Sequence, residues 1–283
     1  MKQFDKKGFL ALNYRTNLKK VKEEVEETLT EFLVGLIETG WQLQFDFEID
    51  PSNLVQIHSV TLYSRILNSI QASHLLAVYG LGAESSNQCR AGLECLIQLA
   101  ALNNNSALMD RIVSQHISDT LTYLNSYKNY HAKNPKISPA QTKALDDKIA
   151  ELQSRKNVLK SLSIGSLGPL EGIAKEANMQ SWYDLLYRRL SKTTHPSLIS
   201  LQEHLKIAED LTLDHLKNHP NFEHFTSNTY CGIKILSRAI EEVYKAVNET
   251  PPSSVVDYNK DLEALRFDEL IFSDISSLMK TNS

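Results

Sequence analysis

The segment "LYRRLSKTTHPSL", residues 186–198, contains side chains that could act together on a phosphate group. Arg188 and Arg189 precede His195 by seven and six positions. An imidazole with an ordinary pKa of about 6.5 accepts or donates protons near neutral pH, and guanidinium groups stabilise negative charge on phosphate oxygens. These residue types fit acid–base chemistry on a phosphate ester, although the spacing is also typical of a solvated helix face.

Helical geometry distinguishes the two arginines. If residues 181–195 form one straight helix, then Asp184, Arg188, Ser191 and His195 lie on one stripe of that helix. Arg189 flanks a different, apolar face. That face consists of Tyr183, Leu186, Tyr187, Leu190 and Thr194. The spacing therefore favours Arg188 over Arg189 as the partner of His195.

A proline at position 196 directly follows His195. The residue before a proline is biased away from α conformation, so we expect His195 at a helix end or kink. Such a junction can turn the imidazole out of the regular stripe and toward a neighbouring helix.

A second candidate lies in "CRAGLECLIQLAAL", residues 89–102, where Arg90, Glu94 and Gln98 recur every four positions. They form one polar stripe on an otherwise apolar helix, and such a helix is expected in the middle of a bundle. Arg90 and Glu94 can pair while the guanidinium keeps donors for a third group. Two interpretations stay open: a solvent-facing stripe with a modest ion pair, or a partly buried pair that orients a group on another helix.

Both segments resemble known bacterial sequences. "CRAGLECL" resembles the R-x-[AL]-LE helix of several helical-bundle families, and "YRRLSKTTHPS" resembles the Y-x-x-LS-x-x-x-H segment of an uncharacterised family with the same pair. Tyr187, Leu190, Ser191 and His195 occupy the positions of the second pattern. Both features are similar to the HEPN superfamily (higher eukaryote and prokaryote nucleotide-binding domains), whose active members carry R-[polar]-x(4–6)-H. The resemblance covers residues 85–200, approximately.

The HEPN resemblance implies metal-independent cleavage of RNA, with no cofactor. His195 would act on the ribose 2′-OH, Arg188 or Arg189 would stabilise the transition state, and Ser191 would orient the phosphate. Arg188 followed by the polar Arg189 fits the motif better than Arg189 followed by Leu190. Arg90 and Glu94 would form the supporting helix. The resemblance also implies a homodimer and a role as a toxin or effector in anti-phage defence.

A rival hypothesis is a non-catalytic helical protein that binds a partner protein or a nucleotide. In it, Arg90, Glu94 and His195 serve as a structural polar cluster. The formal net charge of −4 favours this alternative, because it gives no global attraction to nucleic acid. RNA binding would therefore require a local basic patch.

Composition and hydrophobic periodicity predict an all-α, multi-helix bundle. Glycine (10) and proline (8) are scarce among 283 residues, which suits long helices with few tight turns. We expect a bundle over 1–249, followed by a linker and helical tail over 250–283. Helices are expected at 17–39, 50–79, 85–102, 107–131, 140–162, 170–177, 181–195 and 227–248, with a short strand or extended connector at 40–49. Asp50, which precedes a proline, is expected to cap the second helix, and the pair Ser85–Ser86 to cap the third. The helices at 107–131 and 140–162 suggest a hairpin, about 107–160, that projects from the bundle.

The remaining features indicate a cytoplasmic protein without a metal site. Cys89, Cys95 and Cys231 lack CxxC spacing and fit buried thiols in a reducing compartment. We expect no signal peptide and no membrane span. His215 and His219 lie one turn apart, but no HExxH or CxxC pattern supports a metal site there.

Overall fold

The computed structural model describes residues 27–133, 137–194, 205–207, 213–216, 222 and 224–251. Their helices are α1 (Glu27–Leu43), α2 (Leu54–Val78), α3 (Gly82–Asn104), α4 (Leu108–Lys133), α5 (Pro139–Ser161), α6 (Leu170–Glu176), α7 (Gln180–Trp182), α8 (Arg188–Thr194) and α9 (Phe225–Val247). A π-helical turn, Tyr183–Tyr187, joins α7 to α8. The predicted all-α class is confirmed.

One short pair of strands adds to the helices. β1 (Leu205–Ile207) pairs antiparallel with β2 (Leu213–Leu216), with Lys206 opposite His215 and an irregularity after Lys206. The sequence predicts no strand at these positions, because three or four residues are too few to show a reliable alternating pattern.

Helix α3 lies at the centre of the bundle and packs against α2, α6, α8 and α9. Leu93, Leu96, Ile97 and Leu99 of α3 are completely buried. This arrangement confirms that the nearly all-apolar helix is an interior element. It also fixes the position of the polar stripe, since only one face of α3 remains for polar groups.

Two glycines permit three helices to approach closely around Ile70 of α2. A Cβ atom on Gly92 of α3 would lie 3.1 Å from Ile70 Cδ1, and one on Gly232 of α9 would lie 3.2 Å from Ile70 Cγ2. Ile70 is completely buried. Helices α2, α3 and α9 therefore meet where the absence of side chains lets their backbones come together.

The buried carboxylate of Glu242 links the C-terminal end of α3 to α9. Glu242 of α9 is 3% exposed and contacts Arg238 at 2.6 Å and Lys245 at 2.8 Å. Asn103 Nδ2 donates to the Glu242 carboxylate at 2.7 Å and to its carbonyl oxygen at 2.8 Å. Burial opposes ionisation, but these hydrogen bonds and the charge of Arg238 leave the pKa of Glu242 below its ordinary value.

Helices α4 and α5 form the expected hairpin, which projects from the bundle. The hairpin has its own small core of Ile117, Leu121 and Leu152, separate from the main core. Lys128 of α4 pairs with Asp146 of α5 at 2.6 Å. All residues over 125–130 are exposed, so this half of α4 packs against nothing in the described bundle.

The beginning of α2 differs from the expected one. The N-cap is Asn53, whose Oδ1 accepts hydrogen bonds from the backbone N–H groups of Val55 and Gln56. Asp50, the predicted cap, instead accepts hydrogen bonds from the backbone N–H and hydroxyl of Ser52. The prediction was wrong by one short turn, because both residue types can cap a helix and only the folded chain selects between them.

Other boundaries moved for similar reasons. Helix α1 continues through Gly40 to Leu43, so the segment 40–49 holds a helix end and a connector and no strand. Ser86, half of the pair expected to cap the next helix, is buried inside α3, where its hydroxyl contacts the Gly82 carbonyl and the Asn228 side chain. The part of the predicted first helix before residue 27 and the tail from residue 252 lie outside the described residues.

Replacing Ile70 by alanine should lower the free energy of unfolding by about 2–5 kcal/mol, because it leaves a cavity where three helices meet. Urea unfolding followed by circular dichroism measures this loss. Ile57→Ala is the control on the same helix, since Ile57 is 39% exposed and should cost less than about 1.5 kcal/mol. Equal losses for the two variants would contradict the packing described here.

The stability should fall as the pH is lowered below about 6.5, the ordinary histidine pKa. Burial lowers the pKa of both His58 and His74 of α2, so the folded state binds protons less readily than the unfolded state. The contribution of these two histidines to stability is therefore complete when the pH is above the ordinary histidine pKa. It is lost as the pH falls below that value. The melting temperature of wild type and His58→Gln/His74→Gln across this range measures the effect. The melting temperature of the double variant should depend less on pH than that of wild type. His116→Gln, at an exposed position, should leave the pH dependence unchanged.

Candidate functional site

The helix that precedes His195 packs directly on α3. Leu186 and Leu190 are 6% and 2% exposed and belong to the main core. The backbone N–H of Arg188 donates to the carbonyl of Tyr183, five residues earlier, which defines the π-helical turn. The straight α-helix expected over 181–195 is interrupted by this turn, so that expectation was wrong. A π turn inserts an extra residue into one helical turn and frequently marks a functional site.

The π turn brings two tyrosine rings face to face. The centroids of Tyr183 and Tyr187 lie 5.0 Å apart with an interplanar angle of 16°. The Arg90 Cζ atom is 5.1 Å from the Tyr187 centroid, and the Arg188 Cζ atom is 5.4 Å from the Tyr183 centroid. Each ring thus has a guanidinium within cation–π distance. The four side chains form one row, in the order Arg90, Tyr187, Tyr183 and Arg188.

Arg90 connects the two segments that the sequence analysis singled out. Its Nη2 atom lies 2.9 Å from Glu94 Oε1 and donates to the Tyr187 hydroxyl at 2.9 Å. The Arg90 and Glu94 side chains are 22% and 36% exposed. The structure therefore agrees with the second interpretation, a partly buried pair. The group that Arg90 contacts on the other helix is Tyr187. Arg90 Nε is buried without a hydrogen-bond partner among the described residues.

The two arginines of the motif point in different directions. Arg188 is 59% exposed and pairs with Asp184 at 3.1 Å, as the stripe over Asp184 and Arg188 predicted. Arg189 is half-buried and faces α3, where its charge acts on the Cys89 thiol. Burial raises the pKa of Cys89 to about 12, and the nearby Arg189 only partly opposes this rise. Cys89 is therefore a neutral thiol, consistent with the buried, free state of all three cysteines.

Ser191 and His195 complete the predicted set. The Ser191 hydroxyl donates to the Tyr187 carbonyl at 2.8 Å, so its proton is used within the helix while its oxygen can still accept a hydrogen bond. His195 lies outside the described residues. The structure thus brings Arg90, Glu94 and Tyr187 together. It places Arg188, Arg189 and Ser191 on the adjoining turns.

Sequence reasoning missed the contribution of Tyr183. It assigned both tyrosines to an apolar face, whereas Tyr183 and Tyr187 are only partly buried and each stacks against an arginine. Two tyrosines four residues apart beside paired arginines are the signal that could have indicated stacking. The π turn itself leaves no recognised pattern in the sequence.

The described residues hold no group of three His, Cys, Asp or Glu side chains arranged to bind a metal ion. His219 is outside that part of the chain. No helix within the described ranges combines the length and apolar character needed to cross a membrane.

The fold and site define an all-α bundle with a projecting hairpin and an arginine–tyrosine row between α3 and the helix before His195. The profile of a family of unknown function, DUF5677, matches residues 56–212, which is more than half of the chain. The chain belongs to this family. No curated protein and no solved structure matches it. The matched range includes Arg90, Glu94 and the whole segment from Arg188 to His195.

The hydrogen bond between Arg90 and Tyr187 should appear as a coupling energy in a double-mutant cycle. Arg90→Met and Tyr187→Phe each remove one partner with little change of shape, and we expect a coupling on the order of 1 kcal/mol in the free energy of unfolding. Urea unfolding of the four proteins of the cycle measures it. Arg188→Met is the control, because its exposed ion pair should contribute less than about 1 kcal/mol. A coupling energy of zero would contradict the contact.

Proposed function

We propose that the protein is a HEPN-like endoribonuclease that cleaves RNA without a metal ion. The observation that carries the proposal is the Arg90–Tyr187 hydrogen bond, because it joins the two segments whose motifs resemble that superfamily. These segments are 97 residues apart at this contact. A supporting Arg–Glu helix packed against the helix of the Arg/His motif is the arrangement that the resemblance leads one to expect.

In this proposal His195 takes the proton from a ribose 2′-OH. The 2′-oxygen attacks the adjacent phosphorus and the P–O5′ bond breaks. The departing 5′-oxygen takes up a proton, and the other product carries a 2′,3′-cyclic phosphate. Positive charge beside the phosphate stabilises the transition state, in which negative charge accumulates on the phosphate oxygens. Ser191 can hold the phosphate through its hydroxyl group.

The different exposures of the two arginines suggest different tasks. Arg188 is largely exposed, and its ion pair with Asp184 is of a kind that contributes no more than about 1 kcal/mol, so a phosphate can displace the carboxylate. Arg189 faces α3 and is half-buried. We assign substrate contact to Arg188 and positioning of the helix on α3 to Arg189.

The same resemblance supplies the cellular context of the proposal. HEPN active sites are usually completed across a dimer, so a homodimer is the proposed assembly. RNA is the proposed substrate, and the proposed setting is the bacterial cytoplasm, as a toxin or effector in anti-phage defence.

Cleavage of purified RNA tests the function. We expect wild type to release 2′,3′-cyclic phosphate ends in the presence of EDTA, and His195→Ala or Arg188→Ala to slow cleavage roughly 100-fold or more. Arg189→Ala should reduce cleavage and also stability. His116→Ala and Arg65→Ala are matched controls, since both residues are exposed and lie outside the motif. Equal RNA degradation by wild type and the motif variants, or equal toxicity on expression, would contradict the proposal.

A second candidate is a non-catalytic protein that binds a partner protein or a nucleotide. The observation that favours it is that Arg90 and Arg188 already have partners inside the fold, namely Glu94, Tyr187 and Asp184. A purely structural cluster needs no substrate. In that case Arg90→Met would lower stability, and neither wild type nor the His195 variant would cleave RNA.

A further inference from the structure

The distal half of α4 carries a row of exposed aromatic rings. Tyr123, Tyr127 and Tyr130 are 66%, 40% and 56% exposed, and their spacing places them on one helix face. The centroids of Tyr123 and Tyr127 lie 6.4 Å apart, and His131 lies 4.3 Å from Tyr127 and 5.2 Å from Tyr130. With a rise of about 1.5 Å per residue, this aromatic row is about 10 Å long.

The hairpin does not need this row to hold together. Its buried core consists of Ile117, Leu121 and Leu152, and the Lys128–Asp146 ion pair continues the same contact between α4 and α5. Tyr123, Tyr127 and Tyr130 belong neither to that core nor to the partly buried residues packed against it. Large exposed side chains that contribute nothing to the core of an element indicate a binding surface.

The charge of the hairpin differs in sign from that of the whole chain. Residues 108–161 contain nine Lys and Arg against five Asp and Glu, a formal charge of +4, whereas the chain carries −4. Lys133 and Lys143 are exposed and make no ion pair within the described residues. Because Lys128 pairs with Asp146 in an antiparallel hairpin, both lysines lie at the end of the hairpin that carries Tyr127 and Tyr130.

We propose that this face of the hairpin binds single-stranded RNA. Exposed aromatic rings stack on unpaired bases of any sequence, and lysines beside them attract the phosphate backbone. A duplex offers its bases only in the grooves, so it cannot stack on the aromatic row. The preference for RNA over another flexible polyanion rests on the proposed endoribonuclease function.

The root of the hairpin links this surface to the candidate site. Arg111 of α4 pairs with Glu176 of α6 at 2.7 Å and donates to the Leu167 carbonyl at 2.6 Å. Helix α6 leads directly into α7 and the π turn. An RNA strand bound to the hairpin would therefore be bound to an element that contacts α6, the helix that leads to the Arg/His motif.

Fluorescence anisotropy with a short labelled oligoribonucleotide tests the proposal. The His195→Ala background keeps the probe intact. Replacing Tyr123, Tyr127 and Tyr130 together by alanine should weaken binding of the single strand by about tenfold or more. The same three positions changed to phenylalanine should retain binding, because the rings remain. Phe45→Ala is the matched control, since Phe45 is 85% exposed but lies outside the hairpin. Circular dichroism checks that each variant stays helical.

The proposal would be overturned by no binding of the single strand, by equal binding of the triple alanine variant, or by equal affinity for the duplex of the same sequence. Capture of a protein partner by the tyrosine face with no RNA binding would overturn it too. The two proposals can fail separately. Cleavage by wild type with unchanged affinity and KM in the alanine variant rejects the hairpin surface and keeps the nuclease. Tyrosine-dependent binding without any cleavage by wild type rejects the nuclease and keeps the hairpin surface.

Discussion

Helix α3 must lie inside the bundle, because residues 89–102 carry only three strongly polar side chains and only a surrounding layer of helices can remove the apolar ones from water. The other helices take their positions from it. Helices α2, α6, α8 and α9 pack around it, and Ile70 fills the space where Gly92 and Gly232 let the backbones approach. Between residues 89 and 102, the polar stripe of Arg90, Glu94 and Gln98 is only partly buried, as is Ala91 beside it. The same constraint that organises the core therefore also determines where a polar site can form.

Polar groups enclosed in this core are paired in ways that fix the arrangement of the helices. The Ser73 hydroxyl contacts the Ser85 hydroxyl at 2.9 Å and the Cys89 thiol at 3.1 Å, which ties α2 to α3. The Asn228 side chain of α9 donates to the Gly82 carbonyl at the start of α3. Because an unpaired polar group in the interior costs free energy, a shifted helix would lose these partners. Such contacts favour one register over other, similarly apolar packings.

The candidate site and the hairpin depend on the same scaffold in different ways. At the site, the π turn stacks Tyr183 on Tyr187, with Arg90 beside one ring and Arg188 beside the other. A polar row therefore extends from α3 to the start of α8. The hairpin instead stands away from the core and exposes its tyrosines and lysines. The polar row at the bundle and the exposed aromatic surface on the projecting hairpin are the two separate features on which the two proposals rest.

The sequence by itself determined the fold class, most helix positions, the projecting hairpin and the pairing of Arg90 with Glu94. These follow from periodicity and from contacts one helical turn apart, which depend only on neighbours along the chain. The tertiary structure decided what no local pattern contains: the choice of Asn53 over Asp50 as a cap, the π turn, and the contact of Arg90 with Tyr187. It also turned Arg188 outward and Arg189 toward α3. Each depends on what another helix presents across the interface, and that partner is fixed only when the chain packs.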